Sequence, residues 1–296
     1  MSILKSKVMK KLIPVLIVAA FMIVANSAYA QPRRNVLDGA YVQENNPQRR
    51  VKEWPYLREA DVLWKKRVWE EIDLRQKVNY PLLYPLKELK GRKSLWQVIL
   101  KGIEDGNLTA YSTGPDGADD EFTFKLEPEQ VKGYLSFTKR EKVEIAQDEY
   151  DTVTVTIQRP VDDIVGYRLK EDWIFDKQRS QRYVRIIGIA PIAKVRNSEG
   201  DERDPENSMY APLFWLYYRE CRYVFANWDS FNTVNDAFRG SYDDLFEMRR
   251  FSAYVIKEEN VYDRDIQEYA QGLDALLESE RVKKEIFEYE HDLWNY

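Results

Sequence analysis

Proton transfer, nucleophilic attack and metal binding each demand particular side chains, and this chain is short of most of them. It holds one histidine, His291, set between Glu290 and Asp292 near the end of the sequence. A Ser-His-Asp triad would have to be built on that residue, which reads as a solvated side chain on an exposed helix. No H-E-x-x-H, C-x-x-C or multiple-His cluster occurs, which argues against zinc chemistry. The phosphate-binding string G-x-x-x-x-G-K-[ST] and the nucleophile elbow G-x-S-x-G are missing too. Two acid-rich loops remain: Asp116, Asp119, Asp120 and Glu121, then Glu199, Asp201 and Asp204. Both offer hard oxygen ligands of the kind calcium takes, but neither has the spacing of a calcium-binding loop, and both read as solvated carboxylates. With 50 acidic residues, a paired-carboxylate hydrolase of cell-wall glycan stays open as the alternative reading, although no spacing singles out a pair. We therefore assign no catalytic residue, no metal site and no cofactor. An aromatic-rich, histidine-poor chain of this kind leans towards binding or structure.

Its first thirty residues have another purpose. Lys5, Lys7, Lys10 and Lys11 precede an apolar run from Leu12 to Ala25, and Ala28-Tyr29-Ala30 closes it as an A-x-A cleavage site. This is the pattern of a secretory signal peptide, with Gln31 as the new N-terminus. The run is too short for a spanning helix, no later stretch is longer or more apolar, and no cysteine near the site would take a lipid. The expectation is an exported protein with no anchor of its own. Across the whole chain 45 Lys and Arg face 50 Asp and Glu, and the departing lysines leave the remainder more acidic. That argues against a nucleic-acid binder, which needs a basic face. Cys221 is the only cysteine, so no internal disulfide forms; it reads as a small buried hydrophobe in an aromatic strand. The 20 Tyr, 12 Phe and 8 Trp can fill a core and still leave the residue types that interfaces favour.

The elements predicted from pattern make an α+β protein: helix-rich N- and C-terminal parts around a strand-rich, antiparallel middle. Residues 31–58 read as an extended basic arm, rich in turn residues. Trp64, Val68 and Ile72, at i, i+4 and i+8, suggest a helix over 59–79 that Pro81 and Pro85 stop. Ser94 and Gln97 have capping-box spacing for a helix ending at Asp105-Gly106. Leu108 to Tyr111 and Phe122 to Phe124 read as strands, and Pro128 opens a helix to about Leu135. Alternation places strands at 153–157, 167–175 and 183–192, with a turn over Asp176 to Ser180. Leu213 to Tyr218 reads as an apolar strand with Arg222 to Ala226 pairing nearby. Ser241 caps a helix from Tyr242 to Arg250, Ser252 to Ile256 is a strand, and Asp263 caps a long helix with Ile266, Tyr269, Ala270, Leu273, Leu276 and Leu277 on its inner face. Gly272 weakens that helix, and Val282 to Leu293 continues it or forms another. Both 94–137 and 241–280 read as capped helix, strand and capped helix. The chain is thus divided into a leader (1–30), an arm (31–58) and a body (59–296) with possible related lobes at 59–145 and 210–296 around the middle (150–209).

Longer strings are more distinctive. They include Asp61-Val62-Leu63-Trp64-Lys65-Lys66-Arg67-Val68-Trp69-Glu70-Glu71-Ile72, Asn79-Tyr80-Pro81-Leu82, Glu171-Asp172-Trp173-Ile174-Phe175-Asp176, Arg185-Ile186-Ile187-Gly188-Ile189-Ala190-Pro191, Asn232-Thr233-Val234-Asn235-Asp236, Phe246-Glu247-Met248-Arg249-Arg250-Phe251 and Glu259-Asn260-Val261-Tyr262-Asp263-Arg264. In these the chain, from about Asp61 onward, resembles the gliding-motility protein GldN family, also called PorN, of the type IX secretion system. The resemblance implies a non-enzymatic periplasmic subunit that forms rings of its own copies beneath the outer membrane. It implies partnership with a GldK/PorK-type lipoprotein, which supplies the membrane attachment, and with the periplasmic part of the GldM/PorM-type motor protein. The arm matches less clearly. Its Arg33, Arg34, Arg49, Arg50 and Trp54 are the candidate partner-contact residues.

Overall fold

The computed structural model describes residues 49–89, 91–114, 119–146, 149–195, 210–232 and 239–293, and at 138–146, 149–154, 290 and 293 it describes the backbone alone. The leader residues Ala28, Ala30 and Gln31 and the arm residues Arg33 and Arg34 lie outside that range, as do Asp116, Glu199, Asp201 and Asp204.

Strand β1 spans Val62–Asp73, where the spacing suggested a helix. Positions 64, 68 and 72 are all even, so they lie on one side of a period-2 strand as well as on one stripe of a helix. β-Branched and aromatic residues at 62, 64, 68, 69 and 72 favour the strand, and two partners wait for it. Short helix α1 (Tyr80–Leu83) follows, then α2 (Leu95–Glu104), whose Ser94/Gln97 capping box forms as its spacing predicts. Next come β2 (Ala110–Tyr111) and α3 (Pro128–Leu135). Phe122 to Phe124 is not a strand: Phe122 sits at φ 58° and the chain meets β2 only in a bridge between Lys125 and Tyr111. Strands β3 (Ser136–Ala146) and β4 (Glu149–Gln158) form a separate two-stranded ribbon.

The long strands β5 (Ile164–Asp176) and β6 (Gln181–Lys194) form the centre of the main sheet. Asp176 ends the first of them by accepting from the amides of Gln178 (2.8 Å) and Arg179 (3.3 Å). After β7 (Tyr210–Pro212) and β8 (Trp215–Tyr217) the chain turns into α4 (Tyr218–Phe225). The segment 222–226 is therefore mostly helix, not a strand: Tyr218, Cys221, Arg222 and Phe225 stand at i, i+3, i+4 and i+7 and are all buried. Then come α5 (Tyr242–Glu247), β9 (Tyr254–Glu258), α6 (Ile266–Tyr269) and α7 (Leu273–Leu293). The helix expected after Asp263 is split. Asp265 caps α6, Asp263 instead reaches Lys257 (2.7 Å), and Gly272 at φ 58° separates α6 from α7. Tyr269, Leu273, Leu276 and Leu277 consequently face solvent, while Val282 and Ile286 face the core.

All pairings are antiparallel, in the order β2-β8-β6-β5-β1-β9 with β7 beside β6. The fold class is α+β with an antiparallel, strand-rich middle, as the sequence pattern predicts. Val68 and Trp69, being adjacent in β1, point to opposite faces of the sheet. On the face of Val68 and Ile72 lies the main core. It joins Leu95, Trp96 and Ile99 of α2, Phe225 of α4 and Phe246 of α5 to Tyr167, Leu169 and Ile189 of the sheet. On the same face α7 sets Val282 and Ile286 against Val68 and Val255. The face of Trp69 carries a smaller aromatic layer with Trp215, Ala190, Ile256 and Phe122. Buried Asn79 links the end of β1 to the approach to β9: its amide donates to the carbonyls of Asp73 (2.7 Å) and Ser252 (2.9 Å) and accepts from the Ser252 amide (2.8 Å).

The central ladder is close enough to exclude a methyl group at Gly166. A Cβ there would lie 2.5 Å from the Ile72 carbonyl oxygen, whereas one at Gly133 in α3 would meet nothing within 4 Å. Gly166→Ala is expected to lower the thermal midpoint by roughly 5 °C or more, and Gly133→Ala to raise it by about 1–3 °C, both read by circular dichroism.

Candidate functional site

Among the described arm residues, Trp54 makes a ring stack, two cation–π contacts and a hydrogen bond to the rest of the chain. Residues 49–58 run along the body outside any helix or strand and are held largely by arginines that donate to main-chain oxygens. Arg222 reaches the carbonyl of Lys52 (2.8 Å), Arg185 that of Pro55 (2.9 Å) and Arg179 that of Tyr56 (3.5 Å). Arg49 pairs with Asp229 (2.7 Å). The Trp54 ring lies nearly parallel to Tyr218, 6.3 Å between centroids, with the guanidinium groups of Arg185 and Arg222 each 4.7 Å from its centre. Its indole N–H donates to the Glu247 carboxylate at 3.0 and 3.1 Å. Stacking, two cation–π contacts and a charge-assisted hydrogen bond thus converge on one side chain. The arginines are fixed from below: Arg222 forks onto Asp243 (2.9 and 3.3 Å). Burial holds the Arg185 guanidinium below its ordinary value, opposed by Glu247 and reinforced by Arg222 and Arg179. Open grooves of about 350 and 290 Å³ flank Trp54, the first including Tyr56, Arg219 and Tyr223, the second Tyr183 and Arg249.

Beside this strap, two buried carboxylates, Glu70 of β1 and Glu171 of β5, share one arginine. Arg249 donates through Nη1 to both oxygens of Glu171 (2.8 Å each) and through Nη2 to Glu70 (2.8 Å). It does so from a left-handed backbone at φ 50°. Trp173 adds its indole N–H to Glu171 (3.2 Å), and its ring is flanked by Arg182 and Arg249 at 5.0 and 5.1 Å. One cation for two acids leaves excess negative charge, and burial, with Glu70 nearby, raises the Glu171 carboxyl to about 7. A glycan hydrolase would need a substrate oxygen and a water between such acids. Here a guanidinium occupies that place, so the pair gives the hydrolase reading no support.

The sequence-derived candidates separate clearly. Arg49 and Trp54 are engaged by the body of their own chain, and Arg50 is exposed. Asp120 holds Lys170 (3.0 Å) and the Trp69 indole. His291 lies exposed on α7. Cys221 is fully buried in α4, and burial raises its thiol far above the ordinary value. Among the described residues no cluster of three His, Cys, Asp or Glu is placed to hold a metal ion. Sequence reasoning missed Arg185, Arg222, Glu247 and Arg249. Helical spacing over 218–225 was the available signal for Arg222; the others are brought together only by the tertiary fold.

Fold and site together define an α+β protein, built on a seven-stranded antiparallel sheet, in which a polar and aromatic constellation grips a segment of polypeptide. The chain belongs to the family of the gliding motility associated protein GldN, whose model matches residues 57–295. Membership makes it a component of the gliding-motility and type IX secretion machinery. The match begins three residues after Trp54. No curated protein matches the chain. Among the described residues no helix is long and apolar enough to cross a membrane.

Two outcomes follow from this geometry. Trp54→Ala should free the strap, so that amides of residues 50–58 exchange at least about tenfold faster by mass spectrometry while the main sheet keeps its protection. For Glu171, the folded-state value of about 7 lies above its ordinary 4.5. The folded state therefore binds the proton more tightly, and this group's stabilisation is present below about pH 4.5 and lost as pH rises to about 7. Glu171→Gln should lack that loss: the wild-type thermal midpoint should fall relative to the variant's between pH 4.5 and 7 and stay parallel above.

Proposed function

We propose that this protein is a non-enzymatic structural subunit of a periplasmic ring of the type IX secretion and gliding machinery. It binds a GldK/PorK-type outer-membrane lipoprotein and the periplasmic part of a GldM/PorM-type motor protein, and it associates with its own copies. The observation that carries this reading is the family match across almost the whole body. The cleavable leader read in residues 1–30 supports export, and membrane attachment then comes through the lipoprotein. A buried acid pair bridged by Arg249, with no room between the acids for a substrate oxygen and a water, supports structure over hydrolysis. A ring needs contacts on two different faces of each copy. The arm supplies one of them in this reading: Arg33, Arg34 and Arg50 are its contact residues, while Arg49 and Trp54 anchor the strap to its own chain.

Light scattering on the exported chain, alone and co-expressed with the lipoprotein, tests the proposal. A stable joint assembly far above the monomer mass is expected. A monomer that ignores the lipoprotein would sink it.

A further inference from the structure

Helix α7 carries a second stripe that the fold does not use. Its inner side is fixed: Val282 and Ile286 are buried, the Ser279 hydroxyl accepts from the Val255 amide (2.8 Å), and Tyr289 stacks on Trp64 with centroids 4.7 Å apart. The opposite side is therefore held facing outward. Along it stand Leu273, Leu277, Glu280, Lys284, Phe287 and His291, separated alternately by four and three residues. That is the 3.5-residue period of a helix seam that meets another helix. Leu273 is 70% exposed, Leu277 59% and Phe287 61%, a large apolar exposure for one helix face.

The order of residues along the seam identifies its occupant. In an antiparallel pair of identical helices, a two-fold axis placed level with residue 282 brings 280 opposite 284, 277 opposite 287 and 273 opposite 291. Glu280 of one copy then meets Lys284 of the other twice at the centre. Leu277 meets Phe287 twice outside that, and Leu273 meets His291 at the ends. Opposite charges and apolar partners coincide in one register, as an isologous contact requires. The seam spans about 27 Å at 1.5 Å per residue. Among the described residues, Lys284 makes a surface contact with Glu288 (3.3 Å) and Glu280 one with Lys283 (3.8 Å). Both are weak exposed pairs that can be exchanged for contacts across the seam.

We infer that the outward face of α7 is a self-association surface, pairing two copies of this chain through antiparallel α7 helices about a two-fold axis level with residue 282. The contact is isologous and so distinct from the heterologous contacts of a ring. It links copies two at a time.

The test uses the chain alone, without the lipoprotein, in sedimentation equilibrium across a concentration series. The wild type should pass from one to two copies as concentration rises. Glu280→Lys and Lys284→Glu should each place like charges at both central positions and weaken pairing about tenfold. The double variant Glu280→Lys/Lys284→Glu should return to near the wild-type dissociation constant, because the charges are exchanged and the register kept. Leu277→Glu should abolish pairing. All three positions are exposed, so thermal midpoints should stay close to wild type. A wild type that stays monomeric throughout, single reversals without effect, or a double variant no better than the singles would each overturn the inference. Loss of lipoprotein co-assembly with α7 pairing intact would sink the ring proposal and leave this surface standing.

Discussion

The fold depends on one strand that arrives early and pairs late. β1 lies between β5, about a hundred residues further along, and β9, nearly two hundred further. Without it β9 has no neighbour in the sheet and α7 loses the floor made by Val68 and Trp64. Closing such distant pairs carries a large loop-entropy cost before any contact repays it. The ladder repays it with a continuous register from Trp64 to Asp73 and a main core on one face. The price is two acids, Glu70 and Glu171, in the middle of that ladder, and Arg249 offsets them by reaching in from the end of α5.

Arginine has a recurring part in this structure. At Arg249 a planar fork spans two carboxylates. At Arg222 it divides between Asp243 and a strap carbonyl, and at Arg185 it lies against an indole. Each use needs a cation that keeps its charge when partly desolvated and offers several donors in a plane, which lysine does not. The lysines are placed differently: Lys170 and Lys257 flank Trp69 on the opposite face of the sheet.

Much of the architecture was legible from local pattern. The caps at Ser94 and Ser241 form where the sequence places them, the second with a reciprocal partner in Asp244 that the sequence reading lacks, and both helices lead into edge strands, β2 and β9. The central strands stand where the pattern places them, but β5 is buried on both faces instead of alternating. What failed was period assignment where two periods agree. Positions 64, 68 and 72 satisfy helix and strand alike, and only strand partners far along the chain decide between them. Aromatic content points to strand at Arg222 to Ala226, yet the buried positions of Tyr218–Phe225 follow helical spacing and the segment is a helix. In the split after Asp263, a left-handed Gly272 turned a single stripe into two helices with different faces. Of the candidate site, Trp54 was visible as an anchor type, but its partners were not, since Arg185, Arg222 and Glu247 come from three separate elements.

The placement of Cys221 bears on how the molecule can be studied. Oxidation and alkylation proceed through the thiolate. A sole cysteine that is fully buried and held as the neutral thiol offers reagents almost nothing. The native chain is therefore chemically silent towards maleimides and disulfide exchange. Any cysteine engineered on its surface would report from one address, against a background already blank.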